Sequence, residues 1–526
     1  MTDPRIHSLF EQRLKDSPER PFLILPDTSL SYAALGAWVE LLAQELRADG
    51  VLPGDRVMIV AENCPEHVAL ILACSRVGAW SCGVNARMSP GEIKAFVDKA
   101  DPRVTYFTTG VSPVAQQHAA RAGARASALA ALQRSPVRTE AQAEQGELVP
   151  RVAAVIFTSG TTGAPKGVLV THAGLQQFAR LSAASRGLGP DDLSYAYVPM
   201  THIFGLGTVL MASLHAGASL VMRSHFDPAD VFDALARLGV SNLQGPPAMF
   251  TRLLAWLDEA GIARPNCPQL RYVYTGAAPL DLALKRAVEA RFGQPLHHGY
   301  GMSEYAGALC LTPRGVARDD TSAGYPVQGA ELRIVDSEGS ELPAGERGEI
   351  WMRGVGLMPG YLHDDAATAQ VMRPGGWYAS GDIGYLAPDG ALFVVGRLKE
   401  MIIRSGFNVY PGEVETVLNR FAGIQRSAVV GRRESDGNEE ILAFVETASG
   451  TALDMAALQA FIRENLAPYK RPARVVPVEA LPMTHSGKVL KRSLLELYLA
   501  MNPRMPILTD GQQNLREAVR AGFPDR

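Results

Sequence analysis

A glycine- and hydroxyl-rich segment with one lysine lies at residues 158–167, where the chain reads Thr-Ser-Gly-Thr-Thr-Gly-Ala-Pro-Lys-Gly. Glycine lets backbone N–H groups turn toward an anion, hydroxyls donate further hydrogen bonds, and the lysine adds a positive charge. A phosphate-binding loop is therefore predicted, and an ordinary polar surface loop is the alternative. It is not a Walker loop, because Pro165 stands where that pattern needs glycine. The predicted phosphate ligands are Thr158, Ser159, Gly160, Thr161, Thr162, Gly163 and Lys166.

Four further motifs follow the loop in order, and each carries groups that can bind a nucleotide or a metal ion. They are Tyr300-Gly301-Met302-Ser303-Glu304, Tyr378-Ala379-Ser380-Gly381-Asp382, Gly396-Arg397-Leu398-Lys399-Glu400 and Thr484-His485-Ser486-Gly487-Lys488. Together with the loop, this ordered set resembles the core motifs of the adenylate-forming enzymes, which include acyl-CoA synthetases, peptide-synthetase adenylation domains and firefly luciferase. The resemblance covers about residues 20–500.

The resemblance implies a reaction in two steps. A carboxylate attacks the α-phosphate of ATP to give an acyl-adenylate and pyrophosphate, and a thiol then displaces AMP. Both reactants of the first step are anions, so the site must hold positive charge and N–H dipoles in place beforehand. The implied cofactors are ATP, Mg²⁺ and coenzyme A, and the implied partner is a small carboxylic acid.

The resemblance also implies roles for single residues. Lys488 would bridge the carboxylate and the α-phosphate, and Glu304 would hold Mg²⁺. Tyr300 would stack on adenine, and Ser303, where the family usually has threonine, would contact the α-phosphate. The rest of the nucleotide site would be Gly276, Ala277, Ala278 and Pro279 beside adenine, Gly301 and Met302 next to Tyr300, and Asp382 and Arg397 at the ribose. Taken singly, Tyr300 could be a core aromatic residue and Lys488 a solvated one.

Lys399 lies where the family has a hinge, about which a small C-terminal domain rotates between the two steps. That rotation would carry Lys488 away and bring Ser405, Gly406 and Phe407 to the thiol tunnel. Gly406, without a Cβ, would let a pantetheine arm pass close to the backbone.

Residues 199–205 read Pro-Met-Thr-His-Ile-Phe-Gly and resemble the acid-side motif of the family. His202 would gate the acyl pocket, with a satisfied core histidine as the alternative, and Thr201 replaces a common aromatic residue. Phe204 and Gly205 would line the pocket, and the small residues Ala306 and Gly307 would leave depth. Residues 193–222 contain no charged side chain except histidine, and residues 244–250 add no cation. The predicted substrate is therefore a hydrophobic monocarboxylic acid, aliphatic (as in fatty acid metabolism) or aromatic.

Coenzyme A is the predicted thiol, because Arg432, Arg433, Lys470 and Arg471 could meet its phosphates, although a solvated basic face is equally consistent. An enzyme that loads a carrier protein, a luciferase-like enzyme and a non-catalytic nucleotide-binding scaffold are the rival interpretations. The scaffold is disfavoured because Glu304 and Lys488 are both present.

Composition limits the partners. The 526 residues include 51 basic and 54 acidic side chains, so the net charge of -3 implies no nucleic-acid partner. The five cysteines show no CxxC spacing, which suggests reduced thiols in the cytoplasm. No signal peptide is expected, and the uncharged stretch at 193–222 contains proline and glycines typical of a buried segment rather than an integral membrane segment. An oligomer remains possible.

The elements that must position these residues alternate between strands and helices, which predicts an α/β fold with largely parallel sheets. Strands are expected at 56–60, 103–107, 152–157, 220–222 and 271–274, and helices at 66–77, 228–237 and 280–292. The predicted architecture is a large N-terminal domain of layered α/β sheets (1–397), with a β-rich subdomain at about 325–397. A small, mobile α+β C-terminal domain (398–526) would follow, with a hairpin at 427–446 and a helix at 454–466.

Overall fold

The computed structural model describes residues 5–159, 165–404, 407–433, 439–447, 453–483 and 489–501. Several predicted site residues lie outside these ranges, namely Gly160, Thr161, Thr162, Gly163, Ser405, Gly406 and Lys488. The chain divides into two compact units. The first comprises Met1–Leu332 and Met352–Tyr378, and the second comprises Arg333–Trp351 and Ala379–Arg526. The predicted domain boundary at residue 397 stays a prediction.

The strands are β1 (Pro21–Ile24), β2 (Ser29–Ser31), β3 (Arg56–Ala61), β4 (Trp80–Asn85), β5 (Val104–Phe107), β6 (Arg125–Ala126), β7 (Gln133–Arg134), β8 (Val152–Ser159), β9 (Pro165–Thr171), β10 (Leu193–Ala196), β11 (Ser219–Met222), β12 (Asn242–Gly245) and β13 (Tyr272–Thr275). They continue with β14 (Leu296–Met302), β15 (Gly307–Leu311), β16 (Tyr325–Pro326), β17 (Ala330–Val335), β18 (Gly348–Gly354), β19 (Met372–Arg373), β20 (Trp377–Leu386), β21 (Leu392–Arg397), β22 (Ile402–Arg404), β23 (Phe407–Val409), β24 (Ile424–Arg433), β25 (Glu439–Thr447) and β26 (Arg474–Val478).

The α-helices are α1 (His7–Asp16), α2 (Tyr32–Ala48), α3 (Pro65–Val77), α4 (Pro90–Ala100), α5 (Pro113–Arg121), α6 (His172–Arg186), α7 (Ala212–Ala216), α8 (Pro228–Asp233), α9 (Pro247–Glu259), α10 (Leu282–Phe292), α11 (Asp365–Val371), α12 (Pro411–Leu418), α13 (Met455–Asn465) and α14 (Lys491–Met501). Two π-helical segments, Phe204–Met211 and Ala234–Leu238, continue α-helical turns. Short 3-10 turns lie at Gly146–Leu148, Ser303–Tyr305, Leu398–Glu400 and Pro468–Lys470.

A seven-stranded sheet of the first unit has the order β6-β7-β5-β3-β4-β8-β9. Its central strands β5, β3, β4 and β8 are parallel, and β3 is buried along its whole length, as expected for a continuous apolar run covered on both faces. The last strand, β9, pairs antiparallel with β8, so the predicted phosphate segment connects the two strands of an edge hairpin. The strands predicted at 56–60, 103–107 and 152–157 are confirmed.

A nine-stranded sheet of the same unit has the order β16-β15-β14-β13-β12-β10-β11-β1-β2. One face packs on α8, α9 and α10 through a core that includes Leu243, Phe250 and Val273. The uncharged stretch 193–222 folds as β10, a π-helical segment, α7 and β11, which confirms a buried helix-and-strand segment. Among the described residues, no helix combines the length and the apolar character that crossing a membrane requires.

The division between the units falls within β17, β18 and β20. In the first unit, β19 pairs with the start of β20 at Trp377 and Tyr378. In the second unit, β20 pairs with β21 from Asp382 to Leu386. The strands predicted in this region are therefore present, as short antiparallel elements between turns.

The rest of the second unit contains the predicted hairpin, β24 and β25, with β26 added in parallel to β25. One apolar core joins α12 and α13 to this sheet through residues such as Leu418, Val429 and Leu458. A second core joins α14 to it through Phe444, Leu494 and Tyr498. The predicted helix near 454–466 is confirmed as α13.

Candidate active site

Four of the predicted site segments begin where a strand of the first unit ends. The phosphate segment follows β8, the acid-side segment follows β10, Gly276 follows β13, and the turn that contains Glu304 follows β14. In α/β sheets, ligands bind beyond the carboxyl ends of the strands. The fold therefore places these segments where a ligand site is expected.

The hairpin of β8 and β9 presents two described residues of the phosphate segment. Thr158 pairs with Lys166 across the hairpin, and both side chains are half-buried. The Lys166 ammonium lies 4.8 Å from the centre of the Tyr361 ring. Backbone hydrogen bonds fix this neighbour, because the Leu362 N–H donates to the Gly167 carbonyl (2.7 Å) and the Leu169 N–H donates to Gly360 (3.2 Å).

Glu304 lies in the 3-10 turn Ser303–Tyr305, which ends at Ala306 in a left-handed conformation (φ 54°). The Tyr361 hydroxyl donates to Glu304 Oε1 at 3.1 Å, and it lies 3.3 Å from the Tyr378 hydroxyl. Burial, and then the nearby Glu304 carboxylate, raise the pKa of both tyrosines far above the usual value. Both phenols are therefore neutral donors at any physiological pH.

The described residues contain no group of three or more His, Cys, Asp or Glu side chains that could hold a metal ion. Mg²⁺ does not need such a cage, because it usually takes one or two carboxylates together with substrate phosphates and water. Glu304 offers an oxygen ligand of the kind Mg²⁺ prefers, and the Tyr361 hydrogen bond holds one of its two oxygens. The residues present thus fit an ion that arrives with a triphosphate.

The predicted adenine segment and the strand of Tyr300 are neighbours. A Cβ on Gly276 would lie 3.3 Å from the Gly299 carbonyl oxygen. Ala277 adopts a left-handed conformation (φ 67°), which turns the chain after β13. Tyr300 is half-buried next to a register shift in the β14–β15 pair, and Gly301 and Met302 follow it at the exposed end of β14. The structure therefore places the start of the predicted adenine segment next to the strand that carries Tyr300.

The predicted ribose residues face each other in the second unit. Asp382 on β20 is paired with Arg397 on β21, and their Oδ1 and Nε atoms are 3.2 Å apart. The Asp382 N–H donates to the Ser380 hydroxyl at 3.0 Å, which fixes the turn that carries the carboxylate. The two predicted ribose residues are thus ion-paired with each other.

Lys399 follows directly, in the exposed 3-10 turn Leu398–Glu400. The next residue, Glu400, pairs with Lys491 of α14 at 3.1 Å, and Lys491 also pairs with Glu415 at 2.9 Å. Burial disfavours the Lys491 ammonium, yet Glu415 and Glu400 raise its pKa overall. The predicted hinge turn is therefore tied to the helix that begins three residues after Lys488.

Phe407 of the predicted thiol tunnel is exposed and stacks on Tyr469, with ring centres 4.4 Å apart. The four basic residues considered for coenzyme A are engaged within the second unit. Arg432 pairs with Glu440, Arg433 with Glu439 and Lys470 with Glu413, and Arg471 donates to the Leu466 carbonyl. Each of the four therefore has a partner within the second unit, and their contact with coenzyme A stays a prediction.

Asn63 orients the acid-side segment, and the sequence interpretation missed it. Its side chain donates to the Val198 carbonyl at 3.0 Å and accepts from the Met200 N–H at 2.9 Å. His202 follows, half-buried, and its Nδ1 accepts the Phe204 N–H at 3.2 Å, which leaves Nε2 to carry the ring proton in the neutral form. The histidine is thus oriented, as a gate would require.

Aromatic side chains surround this segment. The rings of Phe204 and Tyr274 meet edge to face at 5.8 Å. Gly205 is required by a close approach, because a Cβ there would lie 2.6 Å from the Val198 carbonyl oxygen. A Cβ on Gly307 would overlap the ring of Phe178, and one on Gly207 would lie 3.0 Å from that ring. Phe178 therefore fills the space beside Gly307, and Ala306 is itself buried, so the depth that these two small residues would leave in the acyl pocket stays a prediction.

Arg186 is a cation that the sequence interpretation also missed. It ends α6 and is only 1% exposed. It donates to Gln244 (2.5 Å), the Thr208 carbonyl (2.6 Å) and Ser182 (3.0 Å), and it has no ion pair within the described part of the chain. Burial lowers its pKa to about 10. The sequence places Arg186 at a helix end and does not show that it is buried, because its burial depends on the packing of α6 against β12.

The chain is similar to known proteins in family, sequence and fold. A family model described as AMP-binding enzyme matches residues 10–362, and a model of the AMP-binding enzyme C-terminal domain matches residues 413–488. The chain is 34% identical to a feruloyl-CoA synthase from an Amycolatopsis species, covering 91% of this chain and 96% of that protein. It is also 34% identical to an indoleacetate–CoA ligase from Aromatoleum aromaticum (91% and 95% covered). ATP-bound MatB from Rhodopseudomonas palustris superposes with a TM-score of 0.83, at 29% identity, over 95% of this chain and all (100%) of that one.

Proposed function

The chain belongs to the AMP-binding enzyme family as an AMP-forming acid–CoA ligase, and we propose that it activates a hydrophobic monocarboxylic acid, aliphatic or aromatic. ATP and coenzyme A are its cosubstrates. The relatives include enzymes named for feruloyl and indoleacetate groups, and both groups carry an aromatic ring.

One observation carries the proposal on the acid. Three buried aromatic side chains lie in or near the acid-side segment: Phe204 of the segment itself, Tyr274, whose ring contacts Phe204, and Phe178, which packs against Gly207 just after the segment. The nearby cation, Arg186, has its guanidinium engaged by Ser182, Thr208 and Gln244, so it is held within the packing. A second carboxylate on the substrate would have to compete with these hydrogen bonds. An apolar acid needs no such exchange.

The residue roles belong to the same proposal. Lys166 and the phosphate segment bind the β- and γ-phosphates, Glu304 holds Mg²⁺, and Tyr300 stacks on adenine. Asp382 and Arg397 bind the ribose hydroxyls, and Lys488 brings the carboxylate and the α-phosphate together. A cation between two anions lowers their repulsion most where they react, which makes Lys488 the residue with the largest expected effect on adenylation.

The acceptor and the compartment complete the proposal. His202 gates the passage between the acid and the thiol, and Ser405, Gly406 and Phe407 line the route of the pantetheine arm. All five cysteines are unpaired, and burial raises the pKa of thiols such as Cys82, to about 12. Thiols in this state suit a reducing compartment, so we place the enzyme in the cytoplasm.

The test is a product screen by mass spectrometry. The protein is incubated with ATP, Mg²⁺, coenzyme A and single acids from a panel of benzoic, cinnamic, hexanoic, octanoic, malonic and succinic acids and alanine. The proposal predicts AMP and an acyl-CoA from at least one hydrophobic monocarboxylic acid, and little product from the dicarboxylic acids or the amino acid. Preference for malonate or succinate would contradict it. If acyl-AMP forms but reacts only with a carrier protein, coenzyme A is not the acceptor.

A further inference from the structure

Tyr361 contacts two side chains of opposite charge that both belong to the proposed triphosphate site. Its ring lies under the Lys166 ammonium at 4.8 Å, and its hydroxyl donates to Glu304 at 3.1 Å. The sequence motifs gave no reason to single it out, because it lies 57 residues after Glu304 and far from Lys166 in the chain.

The backbone holds Tyr361 where it lies. Residues 360–362 run along β9, with an isolated bridge between Tyr361 and Val168. The Leu362 N–H donates to the Gly167 carbonyl, and the Leu169 N–H donates to the Gly360 carbonyl. The Tyr361 N–H donates to the Thr368 hydroxyl at 2.9 Å, which ties the segment to α11. The side chain is only 5% exposed. The pairing with β9 therefore fixes the backbone of Tyr361, and burial restricts the movement of its ring.

The two contacts differ in chemistry. A hydrogen bond from a neutral phenol fixes the direction of a carboxylate that binds a metal ion. An aromatic face attracts an ammonium without neutralising its charge, so the lysine stays able to bind phosphate. The same residue thus orients an anion for Mg²⁺ and a cation for the phosphates. A salt bridge between Lys166 and Glu304 would instead cancel both charges.

We propose that Tyr361 is a positioning residue that sets Lys166 and Glu304 apart and holds them ready for a Mg²⁺-bound triphosphate. The proposal rests on the proposed function only in taking the site as one for ATP and Mg²⁺. It requires no particular acid.

The experiment compares Tyr361→Phe, which keeps the ring and removes the hydroxyl, with Tyr361→Leu, which removes both. Binding of ATP to the full chain is measured by titration calorimetry, once with Mg²⁺ and once with EDTA. Tyr361→Phe is expected to weaken binding of Mg²⁺-ATP about 10-fold, which is the usual cost of one hydrogen bond to a charged group. It should leave binding of metal-free ATP unchanged within about 2-fold. Tyr361→Leu should weaken both.

Tyr32→Phe is the matched control. Tyr32 is also buried in the first unit, and its hydroxyl has no hydrogen-bond partner within the described residues. Its removal should change neither titration. In kinetic assays, Tyr361→Phe should raise the Mg²⁺ concentration needed for half-maximal pyrophosphate release, and it should raise KM for ATP more than it lowers kcat. If Tyr361 only supported the fold, Tyr361→Phe would weaken the binding of Mg²⁺-ATP and of metal-free ATP equally.

Two results would overturn the proposal. One is unchanged binding of Mg²⁺-ATP by Tyr361→Phe, and the other is equal weakening of both forms of ATP. The binding data also separate this proposal from the proposed function. Suppose that the variants change ATP binding as predicted, but the wild-type protein releases no pyrophosphate with any acid. The proposed function then fails, while the role of Tyr361 stands.

Discussion

The ring of Phe178 occupies the space that a side chain on Gly307 would need. Phe178 lies on α6 and is 4% exposed, and Gly307 begins β15 directly after the turn that contains Glu304. Gly207 of the π-helical segment meets the same ring. One aromatic side chain therefore closes the space between three elements next to the predicted acyl pocket.

Replacing Phe178 by alanine is expected to widen the acids accepted. Removal of the ring opens a cavity between Ala306, Gly307 and Gly207, so bulkier acids should gain relative to smaller ones. We expect the ratio of kcat/KM for a bulky acid to that for a small one to rise about 10-fold, which corresponds to one or two methylene groups of pocket contact. A series of unbranched and aryl-substituted acids, assayed by pyrophosphate release, provides the measurement.

Phe292→Ala is the control for stability. Phe292 is 5% exposed in the core that packs α8, α9 and α10 on the nine-stranded sheet, and Phe178 is not part of that core. Both variants should lose about 3 to 5 kcal/mol of unfolding free energy, as is usual for a deleted core phenylalanine. Only Phe178→Ala should change the preference among acids. An identical acid profile in both variants would show that Phe178 does not border the pocket.

Lys399→Pro is expected to separate the two half-reactions. Proline fixes φ and removes an N–H in the turn Leu398–Glu400, so a rotation centred there would be blocked. Acyl-adenylate formation and thioester formation from supplied acyl-adenylate are assayed separately. One of the two should fall at least about 10-fold more than the other if the motion gates them. Lys399→Ala, which leaves the backbone free, should retain both, and unchanged overall turnover in the proline variant would argue against a hinge.

Lys488→Ala is expected to remove acid-dependent pyrophosphate release. The loss of a preorganised charge at the reacting atoms should cost at least about 100-fold in rate. Thioester formation from supplied acyl-adenylate should persist, because the carboxylate is then already activated. Lys94→Ala, at an exposed lysine paired with Asp98, serves as the control and should behave as wild type. Equal loss of both half-reactions would refute the assigned role.

Acid should destabilise the protein through His172. Burial, followed by the charges of Arg5 and His7, lowers its pKa from 6.5 to about 3. The unfolded chain therefore takes up a proton near pH 6.5 that the folded chain resists, so this stabilisation is complete above pH 6.5 and is lost as pH falls toward 3. The expected loss is about 1.4 kcal/mol of unfolding free energy per pH unit within that window.

The matched variant is His172→Asn. The Ile6 N–H donates to His172 Nδ1 at 3.2 Å, and an asparagine oxygen can accept that hydrogen bond without titrating. Urea unfolding between pH 7 and pH 4.5 should show a shallower decline for the variant than for wild type. If the unfolding free energy falls with pH at the same rate in both proteins, His172 does not titrate as its burial predicts.

Much of the fold follows from local patterns. Local patterns predicted the strands β3, β5 and β8, which are apolar runs, and the helix α13, which is an amphipathic stretch. In each case the spacing of apolar residues within one short segment indicates which side chains are buried. The pairing of Asp382 with Arg397 was reachable only through the family motifs, since no spacing rule places those two residues opposite each other.

Other parts of the site could not be read from the sequence. Phe178 and Gly307, Tyr361 and Lys166, and Arg186 and Gln244 are each far apart along the chain, and their contacts depend on how whole elements pack. Small residues at 306 and 307 suggested open space, whereas the glycine accommodates an aromatic ring from another helix. Side-chain volume at one position does not predict depth unless the facing residue is known.

The central claim is that a hydrophobic acid is joined to AMP. Its most direct test is exchange of labelled pyrophosphate into ATP, measured without coenzyme A for each acid of the panel. Because adenylation is reversible, we predict label in ATP that depends on Mg²⁺ and on a hydrophobic monocarboxylic acid, and that is abolished in Lys488→Ala. Exchange with no acid of that class, or release of ADP and phosphate in place of AMP and pyrophosphate, would contradict the account.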